Sequence, residues 1–208
     1  MSIELEKNIE SRRETDRVMW FSMWFLLSIA TFGIAWILMI YLLIKRRNAH
    51  FSRQERLETI TLSKLRHLKA EQQHYDIESD STRNEKPPLL RNAQAWALST
   101  ILIIPAFCVF YFLSSDLQRH EEYEHVFLME AISLAKDPGL ELHVNDFTVT
   151  KKFALDRYLI LTIVTFGLAA VYWLYRIFND YNRHFKRQWK LEDELVEFLK
   201  PINDSEAD

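Results

Sequence analysis

Helix breakers are scarce in this chain of 208 residues, which holds only 3 glycines and 5 prolines. No glycine-rich phosphate loop and no nucleophile elbow can be found in it. Cysteine is scarcer still. Cys108 stands alone, so an intramolecular disulfide and a Cys/His zinc framework are both excluded. It lies inside an apolar block, where a thiol behaves as a small hydrophobe, and the redox compartment stays unread. Charge is missing from long stretches. No ionisable residue falls deep in the three apolar blocks, and ion or proton pathways usually need such groups.

What is present is apolar residue gathered into blocks, beneath a mean hydropathy of −0.16 that looks soluble. The blocks cover residues 18–44, 93–113 and 153–178, and each is long enough at ~1.5 Å per residue to cross a bilayer. The fold class expected is therefore an all-α integral membrane protein with three transmembrane helices. A polar stretch precedes the first block, that block is too long for the core of a signal peptide, and no small-x-small site follows it, so a cleaved leader is not expected. Eleven Lys and Arg lie between 45 and 91, against four in 114–152 beside eight acids. The positive-inside rule then puts the N-terminus (1–17) and the 114–152 loop outside and the C-terminus in the cytoplasm of a cell membrane. Arg12, Arg13 and Arg17 dissent but are outnumbered. Trp20, Trp24, Tyr41, Tyr172, Trp173 and Tyr175 suit interfacial depths.

Two blocks end on nearly the same phrase. TFGIAWILMIYLLIKRRNAHFSRQ begins at Thr31 and TFGLAAVYWLYRIFNDYNRHFKRQ at Thr165, at a constant offset of 134 residues. Thr31, Gly33, Ala35, His50 and Arg53 meet Thr165, Gly167, Ala169, His184 and Arg187. An internal duplication follows, with spans one and three parallel. Thr31 with Ala35, and Thr165 with Ala169, have the small-xxx-small spacing that lets helix backbones approach. Gly33 and Gly167 lie on another face and permit a bend or a bulky neighbour. Pro105 predicts a kink in the middle of span two.

Beyond the spans, 45–75 and 179–200 read as amphipathic helical extensions that pack on each other as a short stalk, with Pro201 ending the second. Membrane-surface attachment is their alternative reading. Residues 76–92 read as a linker and 201–208 as a disordered tail. In the outer loop 117–136 is helical, and 140–149 alternates as a strand does.

Chemistry is thin. In RHEEYEH (119–125), His120 and Glu124 stand at i, i+4 and can face one ion, as can Glu121 and His125. A solvated charged face is the commoner meaning of such a run. His50, His184, Arg53 and Arg187 are interfacial candidates, able to titrate near neutral pH, touch headgroups or bond across a helix pair. No catalytic residue, metal site or cofactor is expected from these patterns.

The second copy, TFGLAAVYWLYRIFND, resembles small prokaryotic membrane families whose spans read Thr-x-Gly-Ile, an aromatic pair and a basic exit. The first copy departs from that pattern, with Met39-Ile40 where the aromatics fall. The resemblance implies a membrane class and no assigned chemistry. The function expected is a non-enzymatic integral membrane subunit for interaction or scaffolding. Its partners are a lipid bilayer and another membrane protein or a second copy, without nucleic acid. An accessory or pore-forming transport component is the alternative, and a metal-dependent membrane enzyme a distant third.

Overall fold

At Thr31-Phe32-Gly33 the chain turns back on itself. The computed structural model describes residues 2–73, 89–136 and 155–205. In it α1 (Ser2–Glu10) and α2 (Arg12–Thr15) precede α3 (Phe21–Ala30) and α4 (Ile34–Gln73). Next come α5 (Ala93–Ser99), α6 (Ile103–Lys136), α7 (Leu155–Val164) and α8 (Leu168–Ser205).

The local cause of the reversal is a Schellman end. Gly33 N donates to Ser28 O at 2.8 Å and Phe32 N to Ile29 O at 3.1 Å, while Phe32 and Gly33 take φ of 50° and 91°. Thr31 then caps the returning helix, its Oγ1 accepting from Ala35 N at 2.9 Å. The second copy repeats every piece. Gly167 N reaches Thr162 O, Phe166 N reaches Ile163 O, Thr165 Oγ1 accepts from Ala169 N, and φ is 50° at Phe166 and 94° at Gly167. A bulky residue in the left-handed region costs roughly 1–2 kcal/mol, so the same strained turn is written twice. The duplicated phrase is a turn signal, in which Thr31 and Thr165 cap the returning helices through Ala35 N and Ala169 N.

This overturns the three-span expectation. Among the described residues no helix is long and apolar enough to cross a membrane. Each apolar block is cut into two arms. The first arms, α3, α5 and α7, have 10, 7 and 10 residues, against about 20 needed for a span. The returning helices meet charge at Lys45, Asp116 and Arg176. Integral membrane placement, and the outside and cytoplasmic sides assigned from Lys and Arg counts, fall with the spans. Pro105 is also corrected. It sits in the first turn of α6, where a missing N–H costs little, and the reversal comes just before it at residues 100–102.

The hairpins share one direction. Arg91 binds Asp116 through both Nε (2.7 Å) and Nη2 (3.0 Å), and Trp96 packs on Phe112, so α5 runs against α6. Arg46 Nη1 donates to Arg17 O, which sets the strand of chain before α3 against α4, and Tyr158 beneath Arg176 does the same for α7 and α8. The long arms α4, α6 and α8 therefore run parallel from their tips. Seven residues before His50, His120 and His184 stand Leu43, Leu113 and Ile177, and seven after stand Leu57, Phe127 and Leu191, all buried. Four residues on from those are Thr61, Ala131 and Leu195, again buried. This 4-3 spacing in common register is a parallel three-helix heptad core. The expected pairing of the two extensions is present, with α6 as a third strand joining Leu57, Leu65, Leu191 and Leu195 in one core.

The N-terminal segment seals the lower bundle between α4 and α8. Leu5 enters the core, Asn8 Nδ2 donates to Arg53 O, and Arg12 Nη1 reaches Asp193 Oδ1 at 2.6 Å. α8 passes through Pro201 to Ser205, so proline does not end it there. The strand expected at 140–149, most of the linker and the last three residues lie outside the described residues.

Candidate metal centre

The common register brings His50, His120 and His184 to one level on the bundle axis. Their ring centroids are 5.3, 5.1 and 5.2 Å apart. One ligand atom from each forms a set whose members all lie within 4.8 Å of one another. His50 Nε2 and His184 Nε2 are 3.1 Å apart, and His120 Nε2 is buried without a hydrogen-bond partner. Nitrogens ~2.0–2.1 Å from a tetrahedral zinc are about 3.4 Å from each other. The His50–His184 separation is near that value already, and the widest gap exceeds it by about 1.4 Å at most.

Carboxylates orient two of the rings. Asp16 Oδ1 accepts from His50 Nδ1 at 2.9 Å, and its Oδ2 takes Arg53 Nη2 at 2.7 Å and Trp189 Nε1 at 2.9 Å. Glu121 Oε1 lies 3.3 Å from His184 Nδ1 and 2.8 Å from Arg187 Nη2. The two copies thus use one device. A histidine and the arginine three residues on share a carboxylate brought by another segment. Arg187 Nη2 also stands 3.4 Å from His184 Nδ1, so that nitrogen faces both an acceptor and a donor. Carboxylates behind histidines fix the tautomer and raise ligand basicity.

Burial keeps the rings neutral. Desolvation pushes His50 down to about 4, against the pull of Asp16, and lowers His120 strongly and His184 in the same direction. Asp16 is itself raised by burial, but His50, Arg53 and Thr15 outweigh that and hold it well below the usual carboxylate range. With its Nδ1–H turned to Asp16, His50 presents the Nε2 lone pair to His184 Nε2 at 3.1 Å, where either a hydrogen on His184 Nε2 or a bound cation satisfies it.

One turn further, Gln54, Glu124 and Gln188 form the next layer, each essentially buried. Both Glu124 carboxyl oxygens, both Gln54 amide atoms and Gln188 Nε2 lack hydrogen-bond partners. Burial raises the Glu124 carboxyl well above its ordinary range. Glu124 stands at i+4 from His120 and shares its face. Three imidazole nitrogens suit a divalent transition ion of the zinc class.

The interfacial candidates His50, Arg53, His184 and Arg187 are brought into this centre. Thr31, Gly33, Ala35, Thr165, Gly167, Ala169 and Pro105 lie at the hairpin ends, away from it. The run RHEEYEH is not a wholly solvated face. His120 and Glu124 turn inward and Glu121 turns to His184, while Glu122 and His125 are exposed. A heptad count from His50 and from His120 is the signal that was there to be used. Comparison with protein-family models, with curated proteins and with solved structures finds no match to this chain.

Proposed function

We propose that this chain is a metal-binding helical scaffold in which His50, His120 and His184 hold one divalent transition ion, with the buried Glu124 carboxyl one helical turn away. The observation that carries the reading is the convergence of three ring nitrogens, one from each long helix, within 4.8 Å. The ligands come from hairpins far apart in the chain. An ion there ties the three together, and its binding free energy becomes folding free energy. His50 and His184 are almost wholly buried, which suits an ion that holds structure more than one that turns over substrate. The role is thus assembly, with the bundle as a rigid platform.

Elemental analysis of the purified chain, with cobalt titration, tests this. One equivalent of zinc-class metal and the visible bands of tetrahedral cobalt are expected, both lost in His184→Ala and in His120→Ala. A chain that stays metal-free at micromolar zinc, with cobalt remaining octahedral, overturns it. The histidines would then be a hydrogen-bonded cluster only.

A further inference from the structure

The upper end of the molecule carries no charge and leaves large apolar side chains exposed around its tips. Residues 18–44, 93–113 and 158–175 contain no Asp, Glu, Lys, Arg or His. Phe32 and Phe166 are each 99% exposed, and Ile34, Ile103, Ile104 and Ile163 are exposed beside them. A patch of this kind exceeds the scattered apolar residues ordinary on a water-facing surface.

The tips share one height. His50, His120 and His184 each follow their hairpin tips, at Phe32, Leu102 and Phe166, by eighteen residues, or ~27 Å of helix. Tips one and two touch, since Trp36 Nε1 donates to Thr100 Oγ1 at 3.1 Å. At both Phe-Gly turns the chain holds an aromatic ring outermost in a left-handed conformation. Water offers nothing to offset that strain.

We infer that the three hairpin tips dock into one leaflet of a phospholipid bilayer, entering and leaving on the same side without crossing it. Depth argues for this occupant. Arg157 and Arg176 come nine and ten residues from their tip, Lys45 thirteen and Arg17 fifteen. The uncharged zone is thus ~15–20 Å deep, close to half of a ~30 Å hydrocarbon core. Charge at its edge argues the same way. Arg17, Lys45 and Arg157 are exposed there, while Asp116 and Asp180 are engaged by Arg47, Arg91 and Arg176. A basic collar below an apolar plug fits anionic headgroups. Tyr41 and Tyr175 stand nine residues from their tips, level with Arg157, where amphipathic rings favour the interface. The inference stands apart from the metal centre, which lies below the collar.

Flotation of the full chain with phosphatidylcholine vesicles containing about 30% phosphatidylserine tests it. The comparison is a triple variant, Phe32→Asp, Ile103→Asp and Phe166→Asp. These side chains are exposed, so the helix content of the variant should match the wild type by circular dichroism. The wild type should float and the triple variant bind at least about tenfold more weakly. A fluorophore on exposed Cys108 should be quenched by acyl-chain bromines in the wild type only. Three outcomes overturn the inference. The wild type stays unbound, the triple variant binds equally, or the tips instead form an end-to-end dimer that the triple variant abolishes and vesicles do not compete.

Discussion

Asp16→Asn changes one atom type at the point where the N-terminal segment meets both repeats. The native carboxylate accepts on two sides. Thr15 and His50 approach Oδ1, and Arg53 and Trp189 approach Oδ2. A carboxamide presents one oxygen and one NH2, so one side must face donors. If the oxygen keeps Arg53 and Trp189, the amide turns to His50 Nδ1, which must then accept. The hydrogen moves to Nε2 and removes a metal ligand. Loss of such an orienting partner typically costs 10–100-fold in metal affinity, and a fall of about that size is expected in competitive chelator titration. Arg53 keeps Glu192 Oε1 at 2.7 Å, so losing the Asp16 charge costs about what one charge-assisted hydrogen bond is worth, about 1.5–3 kcal/mol. In a chain of this size that is about 3–12 °C of melting temperature. Asp193→Asn is the control, because its pair with Arg12 is exposed (62% at Asp193) and is worth about 0–1 kcal/mol. Asp16→Asn binding zinc within twofold of wild type would refute the tautomer argument, whatever happens to stability.

Other outcomes follow from the same geometry. Chelation should lower the melting temperature, and restoring zinc at about 1,000 times its Kd should return about 4 kcal/mol, read by calorimetry. Gly33→Ala should destabilise by about 1–2 kcal/mol in thermal melts although space around its Cβ is open, because φ of 91° is the obstacle. Thr165→Val should cost about 1 kcal/mol through the lost cap, measured in urea. Burial raises the Asp180 carboxyl above its unfolded value, so its stabilising contribution is present in acid and fades as pH rises through the folded value. Asp180→Asn should remove that slope from a stability-versus-pH curve, and an unchanged slope would assign it elsewhere.

The helices and the repeated phrase were legible in the residues, whereas the parallel sense was expected from membrane spans that the structure does not contain. The offset of 134 that aligned His50 with His184 is the separation of two rings whose Nε2 atoms stand 3.1 Å apart. The turns were not legible from hydropathy, which sums transfer free energy and is blind to one left-handed Phe. Thr-Phe-Gly looks apolar and continuous until its hydrogen bonds are drawn. The third member of the centre was hidden differently. Around His120 the chain reads Arg-His-Glu-Glu and not His-Phe-x-Arg-Gln, so α6 shares the heptad but none of the phrase. Its glutamates looked like a wet surface because their partners Arg187 and His184 lie more than sixty residues on.

Asp16 draws its partners from residues 50, 53 and 189, so the start of the chain has no complete seat until the end has been made. At about 5–20 residues per second, ribosomal synthesis from residue 20 to 189 lasts roughly 8–34 s. In the last part of that interval, after residue 136, two finished hairpins present bare hydrocarbon and an unclosed seam. A nascent polypeptide so arranged depends on an escort, or on a surface to rest against, before α8 emerges.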